Sequence, residues 1–238
     1  MPYLMAGFPD VATSLDVAEA YVEAGADLIE IGVPFSDPLA DGPVIHEAAT
    51  RALAGGATLQ TALEVCAAVA DRVPAVLMCY SNMVLSLGAA GFAERLAVAG
   101  AAGAIVPDLP LGEDDSVREA LHDRGLAMVP LVAPTTEEAR RARICEAASG
   151  FVYVVSDRGV TGERAALPEG LAELVEAVRR EASVPAAVGF GISSAEQAAE
   201  VGRIADGVII GSRLVRLAGE GGADAVTAFL GEVRAALV

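Results

Sequence analysis

The sequence predicts a parallel α/β barrel, a single (β/α)8 or TIM barrel, on three observations. Short apolar runs, most with β-branched residues, recur at regular spacing along the chain. Ala-rich segments with helical periodicity separate them. The length of 238 residues suits one barrel of eight such units. Strands that alternate with helices imply parallel pairing, because each crossover needs room for a helix. Runs that are apolar throughout imply strands buried on both faces. An open doubly wound sheet is the rival arrangement, and eight repeats with Gly-rich turns after the seventh and eighth runs favour closure. No linker or low-complexity segment interrupts the pattern, so the reading is one barrel domain over residues 1–238.

The eight runs are Tyr3–Ala6, Leu28–Ile31, Ala75–Cys79, Ala104–Val106, Ala127–Val132, Phe151–Val155, Pro185–Val188 and Asp206–Ile210. After the first, Ser14 is placed to cap a helix whose Leu15, Ala18 and Val22 form an apolar stripe, and Gly25 ends it. The uncharged stretch between Arg72 and Glu94 is broken by Pro74, Ser81, Asn82, Ser86, Gly88 and Gly91, and reads as a buried strand, a loop and a helix start rather than a membrane span. Leu171, Leu174, Val175 and Val178 form the stripe of the sixth helix, and Ser193 or Ser194 caps the seventh. The first run begins at residue 3, so the sequence ahead of it offers no cover for the N-terminal mouth of the barrel.

Composition excludes several chemistries. The chain carries 33 acidic and 16 basic residues, a formal net charge of −17, which disfavours nucleic acid and anionic membranes as partners. Every basic residue is Arg; with no Lys, Schiff-base catalysis is excluded. Two histidines, His46 and His122, cannot make a three-His zinc site, and no metal is expected. Cys66, Cys79 and Cys145 form no CxxC pair and no secretory signal precedes them, which suits a reducing cytoplasm. The mean hydropathy of +0.50 reflects Ala content.

In such a barrel, chemistry resides at the C-terminal ends of the strands. Glu30 lies inside the second run, where its carboxyl is desolvated whether it points into the barrel or toward the helices. Desolvation moves a carboxyl pKa toward neutrality and suits a general acid or base; a structural salt bridge to an Arg is the alternative. The loop that follows, Val33 to Pro43, holds Asp37 and Asp41 between prolines, so its carboxylates are positioned; Asp41 before Gly42 also fits a plain turn. After the sixth run, Asp157-Arg158-Gly159-Val160-Thr161-Gly162 reads as a lid or as an exposed connection. Gly189-Phe190-Gly191-Ile192-Ser193 and Ile210-Gly211-Ser212 end the seventh and eighth runs, where backbone N–H groups and a helix N-terminus bind phosphate, or where glycines merely pack. Together these features describe a barrel enzyme acting through carboxylates on a small phosphorylated substrate.

The run from Glu30 to Pro43, with Pro2-Tyr3-Leu4-Met5-Ala6-Gly7, Gly159-Val160-Thr161-Gly162 and Gly189 to Ser193, resembles the tryptophan synthase alpha chain family over essentially the whole chain. The resemblance implies retro-aldol cleavage of indole-3-glycerol phosphate to indole and glyceraldehyde 3-phosphate. It implies Glu30 and Asp41 as catalytic residues: Glu30 moves protons at indole C3 and the glycerol hydroxyl, and Asp41 holds the indole N–H. It implies Tyr153 as an active-site tyrosine and Thr161 as a lid residue closing over Asp41. Gly162, Gly191, Gly211 and Ser212 match phosphate-binding positions, and Tyr3, Tyr80 and Asp108 match positions lining the site or the partner-facing surface. The missing Lys fits, since the protonated indole itself serves as electron sink.

The resemblance further implies a cytoplasmic α2β2 assembly with a beta chain, which alone carries pyridoxal phosphate, and contacts through Pro34–Pro43 and the segment around Pro110. A stand-alone lyase releasing free indole and a non-catalytic activator of a beta chain are the alternatives. Two departures stand out: the family has an N-terminal helix before the first strand, whereas the sequence given starts at that strand, through a late start, a trimmed chain or true absence of the helix, and His46 occupies a position usually held by Gln. His46 is read as a tolerated swap, or as a residue in catalysis or partner contact.

Overall fold

The computed structural model describes residues 1–156, 168–189 and 191–238. The chain alternates strands and helices in the order β1 (Tyr3–Met5), α1 (Val11–Glu23), β2 (Ile29–Gly32), α2 (Pro43–Ala54), α3 (Leu59–Val69), β3 (Ala75–Met78), α4 (Ser81–Leu87), α5 (Ala89–Val98), β4 (Gly103–Ile105), α6 (Asp115–His122), β5 (Ala127–Met128), β6 (Leu131–Val132), α7 (Glu138–Glu146), β7 (Val152–Val155), α8 (Leu171–Glu181), β8 (Ala186–Gly189), α9 (Ala195–Gly202), β9 (Gly207–Ile209) and α10 (Ser212–Leu237).

All pairings are parallel and follow chain order, β1 to β5 in one ladder and β6 to β9 in the other. The ladders join into a TIM barrel at two seams. At one, Tyr3 N donates to Ile210 O (2.9 Å) and Ile210 N to Met1 O (3.1 Å). At the other, the fifth apolar run changes neighbour within itself: Val129 N donates to Ala104 O (2.9 Å), and Pro130 O accepts from Tyr153 N (2.9 Å). Pro130 has no N–H, so the run divides there into β5 and β6. Eight runs therefore yield nine strand segments.

The pleat sorts side chains into two cores. Ile29, Ile31, Leu77, Val152 and Val154 point outward and pack with Val17, Tyr21, Val65, Phe92 and Leu96 from the helices. Val76, Ile105, Val129, Ala187 and Ile209 point inward, with Met1, Leu28, Ala102 and Phe151 toward the floor. Each fully buried aliphatic side chain contributes about 1.5–3 kcal/mol, and most of these lie on the helix-facing side.

Two local expectations are corrected, and one left open is decided. Asp10, not Ser14, caps α1, accepting from Thr13 N at 2.9 Å. Ser14 is buried within the helix, where its Oγ donates to Val11 O (2.9 Å) and accepts from Gly7 N (3.1 Å), tying the exit of β1 to α1. The uncharged stretch after Arg72 contains two helices, α4 and α5, split at Gly88 with φ +70°. Ser194 caps α9, accepting from Gln197 N, while Ser193 donates to the Gln197 side chain. Among the described residues no single helix is long and apolar enough to cross a membrane.

Candidate active site

Glu30 stands at the centre of β2, in register with Tyr3 on β1 and Val76 on β3. Its neighbours along the strand decide its direction. Leu28, two residues before it, belongs to the barrel interior, whereas Ile29 and Ile31 belong to the helix-facing core. Glu30 therefore points into the barrel. It is 1% exposed, and its Oε2 has no hydrogen-bond partner among the described residues. No described Arg forms an ion pair with it. Burial pushes its pKa up to about 8, with the Met1 ammonium opposing and Asp41 adding to the rise. A carboxyl of this kind is largely protonated at neutral pH and able both to give and to take a proton.

Tyr3 and Tyr153 flank it. Each hydroxyl occupies the space that a side chain at a glycine would need: Tyr3 over Gly32, Tyr153 over Gly189. The glycines thus make room for the two rings in the upper barrel. Burial, reinforced by Asp41 and Glu30, holds both phenols well above their ordinary range, so they act as neutral hydroxyls.

Asp41 lies where the Pro-rich loop turns into α2. It is half-buried, and burial raises its pKa, while a hydrogen bond from Tyr80 and the charge of His46 oppose the rise. The Tyr80 hydroxyl also accepts from Ala40 N (3.1 Å), and its ring packs on Phe35 with centroids 5.1 Å apart. Tyr80 thereby anchors the loop at the residue before Asp41. Asp108 serves the same region from beneath: its carboxylate accepts from Ser81 N (2.8 Å) and Ser81 Oγ (2.7 Å), satisfying the start of α4, which follows Tyr80. Its described contacts are thus those of a cap.

At the other side of the mouth, Gly211 is the N-cap of α10 and Ser212 its first residue, buried. The first helical bond of α10 runs from Val215 N to Gly211 O (3.0 Å), so the N–H groups ahead of Val215 have no partner within the helix. The three atoms nearest to a Cβ at Gly211 all belong to Tyr3, at 3.8 Å or more, so among the described residues nothing crowds that carbon at the helix start. Gly191 leaves the end of β8, which pairs with β9, so both Gly-bearing loops rise from neighbouring strands. That geometry suits an anion of phosphate size. Thr161 and Gly162, with the rest of the expected lid, lie outside the described residues. Among the described residues no cluster of His, Cys, Asp and Glu could hold a metal ion.

Sequence reasoning named the residues of this mouth but missed what frames them. The clearance that Gly32 and Gly189 give to the tyrosines left no signal beyond a glycine at the end of a strand. Tyr80 as anchor of the Asp41 loop depends on contact across 40 residues of chain.

The buried carboxyl also shapes stability. A group whose folded pKa lies above its unfolded value contributes stability that is fully present below the unfolded value, here 4.5, and lost as pH rises through the folded one, about 8. The loss scales at about 1.4 kcal/mol per pKa unit. Glu30→Gln is therefore expected to unfold at higher urea than the wild type at pH 9, with the gap closing toward pH 5. Urea midpoints that stay equal across that range would contradict the burial of an ionisable Glu30.

The sequence profile described as Tryptophan synthase alpha chain matches residues 1–233. A tryptophan synthase alpha chain from Synechococcus sp. (strain CC9902) is 47% identical over 219 residues, covering 91% of this chain and 81% of that relative. Among solved structures, tryptophan synthase from Mycobacterium tuberculosis superposes with a TM-score of 0.93 at 41% identity, covering 99% of this chain and 91% of that one. A chain of the a2b2 tryptophan synthase complex of Pyrococcus furiosus superposes with a TM-score of 0.90 at 35% identity, covering 98% and 96%.

Proposed function

The chain belongs to the tryptophan synthase alpha chain family, and from that premise we propose that this barrel mouth cleaves indole-3-glycerol phosphate, with Glu30 as acid and base and Asp41 as anchor of the indole N–H. The enzyme is a carbon–carbon lyase of tryptophan biosynthesis. Its phosphate is received by the N–H groups at Gly191 and Gly211 and by Ser212, with Thr161 and Gly162 completing the site. Tyr3, Tyr80 and Tyr153 shape the pocket. We also assign the whole chain, residues 1–238, to one barrel domain in the cytoplasm, with no cofactor of its own.

The chemistry follows from the charge states. The protonated Glu30 carboxyl delivers a proton to indole C3, and Asp41 stabilises the positive charge that then spreads to the ring nitrogen. Glu30, now a carboxylate, assists removal of the proton from the glycerol hydroxyl next to C3. The carbon–carbon bond breaks, its electron pair returns to the ring, and the hydroxyl carbon leaves as the aldehyde of glyceraldehyde 3-phosphate. One proton is given and one taken, so Glu30 ends as it began. The substrate's own ring accepts the electrons, which accords with a chain that has no Lys.

The observation that carries this reading is the buried Glu30 carboxyl, turned into the barrel without an Arg partner among the described residues, under the mouth where Asp41 stands. The test is indole release from indole-3-glycerol phosphate, with and without a beta chain of the family. Release stimulated by the beta chain supports a subunit of the α2β2 enzyme. Full activity alone would favour a stand-alone lyase, and no release in either case would end the catalytic reading.

The phosphate end gives a separate prediction. Gly211→Val is expected to raise KM at least tenfold with a smaller change in kcat, because the added methyls block the helix N-terminus. The three atoms nearest to a Cβ at Gly211 lie 3.8 Å away or more, so the first added carbon has room and the two methyls beyond it carry the effect. An unchanged KM would put the phosphate elsewhere.

A further inference from the structure

We propose that Tyr21 is a positioning residue for the phosphate end of the site: its hydroxyl takes the place on the Tyr3 carbonyl that Ser212 N would otherwise fill, and so leaves that N–H free for the ligand. The proposal rests on the phosphate role given to Gly211 and Ser212 above. Of the four tyrosines, Tyr21 is the one the mechanism does not use. It lies on α1, wholly buried in the helix-facing core. Burial pushes its phenol up, so the hydroxyl keeps its proton and remains a donor. It donates to Tyr3 O at 2.9 Å.

The seam between β1 and β9 shows what this bond replaces. Bonds in a parallel ladder are evenly spaced, with every second residue of a strand serving one neighbour. Here Ile210 N donates to Met1 O (3.1 Å) and Tyr3 N to Ile210 O (2.9 Å). One step further, the same pattern would join Ser212 N to Tyr3 O. The chain leaves the ladder first: the backbone turns at Gly211 (φ −110°, ψ −85°), and Ser212 opens α10. Among the described residues no backbone bond joins Ser212 N to Tyr3 O. Tyr3 is buried, and a buried carbonyl without a donor is costly. Tyr21 supplies that donor from the helix layer. The departure of the chain at Gly211 thus depends on a side chain of another element. The same bond fixes Tyr3, which stands in register with Glu30 and borders the space at Gly211.

Tyr21→Phe keeps the buried ring and removes the donor, so the variant should fold. Ser212 N is then the replacement that the ladder pattern offers. In isotope-labelled protein without ligand, the Ser212 amide proton should move downfield in the NMR spectrum of Tyr21→Phe as it takes up Tyr3 O. A Ser212 resonance unmoved by the substitution overturns the proposal. Affinity for glycerol 3-phosphate should fall roughly three- to tenfold, the worth of one neutral hydrogen bond that must first be broken. Affinity for indole, which carries no phosphate, should hold. Equal weakening of both ligands would mark a general loosening of the mouth and overturn the proposal, as would an unchanged affinity for glycerol 3-phosphate. In the lyase assay the loss should fall on KM; a loss confined to kcat also overturns it. A wild type that binds no glycerol 3-phosphate would fail the phosphate reading, while the ligand-free amide shift would still decide the exchange at Tyr3.

Discussion

Glu30→Gln is expected to lower indole release by roughly 10²–10⁴-fold, the usual contribution of a positioned general acid and base, while substrate binding changes little. Glutamine keeps the shape of the side chain and removes the transferable proton. Among the described residues the surroundings offer no ready substitute, because Tyr3 and Tyr153 are held neutral by burial and Asp41 stands at the mouth. The assay is single-turnover cleavage with and without beta chain, alongside binding of a non-cleavable substrate analogue. A variant within tenfold of wild type would remove Glu30 from the mechanism; lost binding would recast it as a recognition residue. Combined with the urea series above, the same substitution should yield a protein that is nearly inactive and, at high pH, more stable.

The largest stability effect is expected at Gly103. It lies in the same register row as Val76 and Ala127, and a Cβ there would collide with the Ala127 carbonyl oxygen, with Ala127 C and Cβ at 2.9 Å. Those atoms belong to a neighbouring strand whose Ala127 N is bonded to Ala102 O, so the backbone cannot step aside without breaking the ladder. Gly103→Ala should therefore cost about 2–3 kcal/mol or more, the range of overpacked cores, read as a lower urea midpoint. Gly231→Ala is the matched comparison. It is an exposed glycine in α10 with no atom within 4 Å of the added carbon, and there Ala should stabilise by about 0.5–1 kcal/mol. If both variants shift the same way, backbone crowding is not what Gly103 relieves.

Much of the barrel was legible because its strands are apolar on both faces and its helices are not. The same property hid the direction of Glu30. A strand with no polar alternation does not say which side is the barrel, and only Leu28 and Gly32, seen with their neighbours, decide it. The first helix shows a comparable limit: Asp10 and Ser14 are both competent caps, and the choice depends on Gly7, whose N–H needs the Ser14 hydroxyl. The division of the fifth run at Pro130 was visible as a proline, but its meaning required the two neighbours that the strand serves in turn. Asp41 and Gly211 were legible as turn and helix-start residues. Asp108 was grouped with residues lining the site or the partner face; its described contacts with Ser81 come from a loop and a helix start that meet only in the fold.

The tyrosines around the mouth have an optical consequence. The chain has no Trp and four Tyr, so its ultraviolet emission comes from Tyr3, Tyr21, Tyr80 and Tyr153 alone. Three of them surround Glu30 and Asp41, while Tyr21 is buried in the outer core with its hydroxyl on the Tyr3 carbonyl at 2.9 Å. Indole absorbs where tyrosine emits. An indole ring entering this mouth, as substrate or as product, would quench three of four emitters and light up in their place, so the protein carries its own reporter of site occupancy without a label.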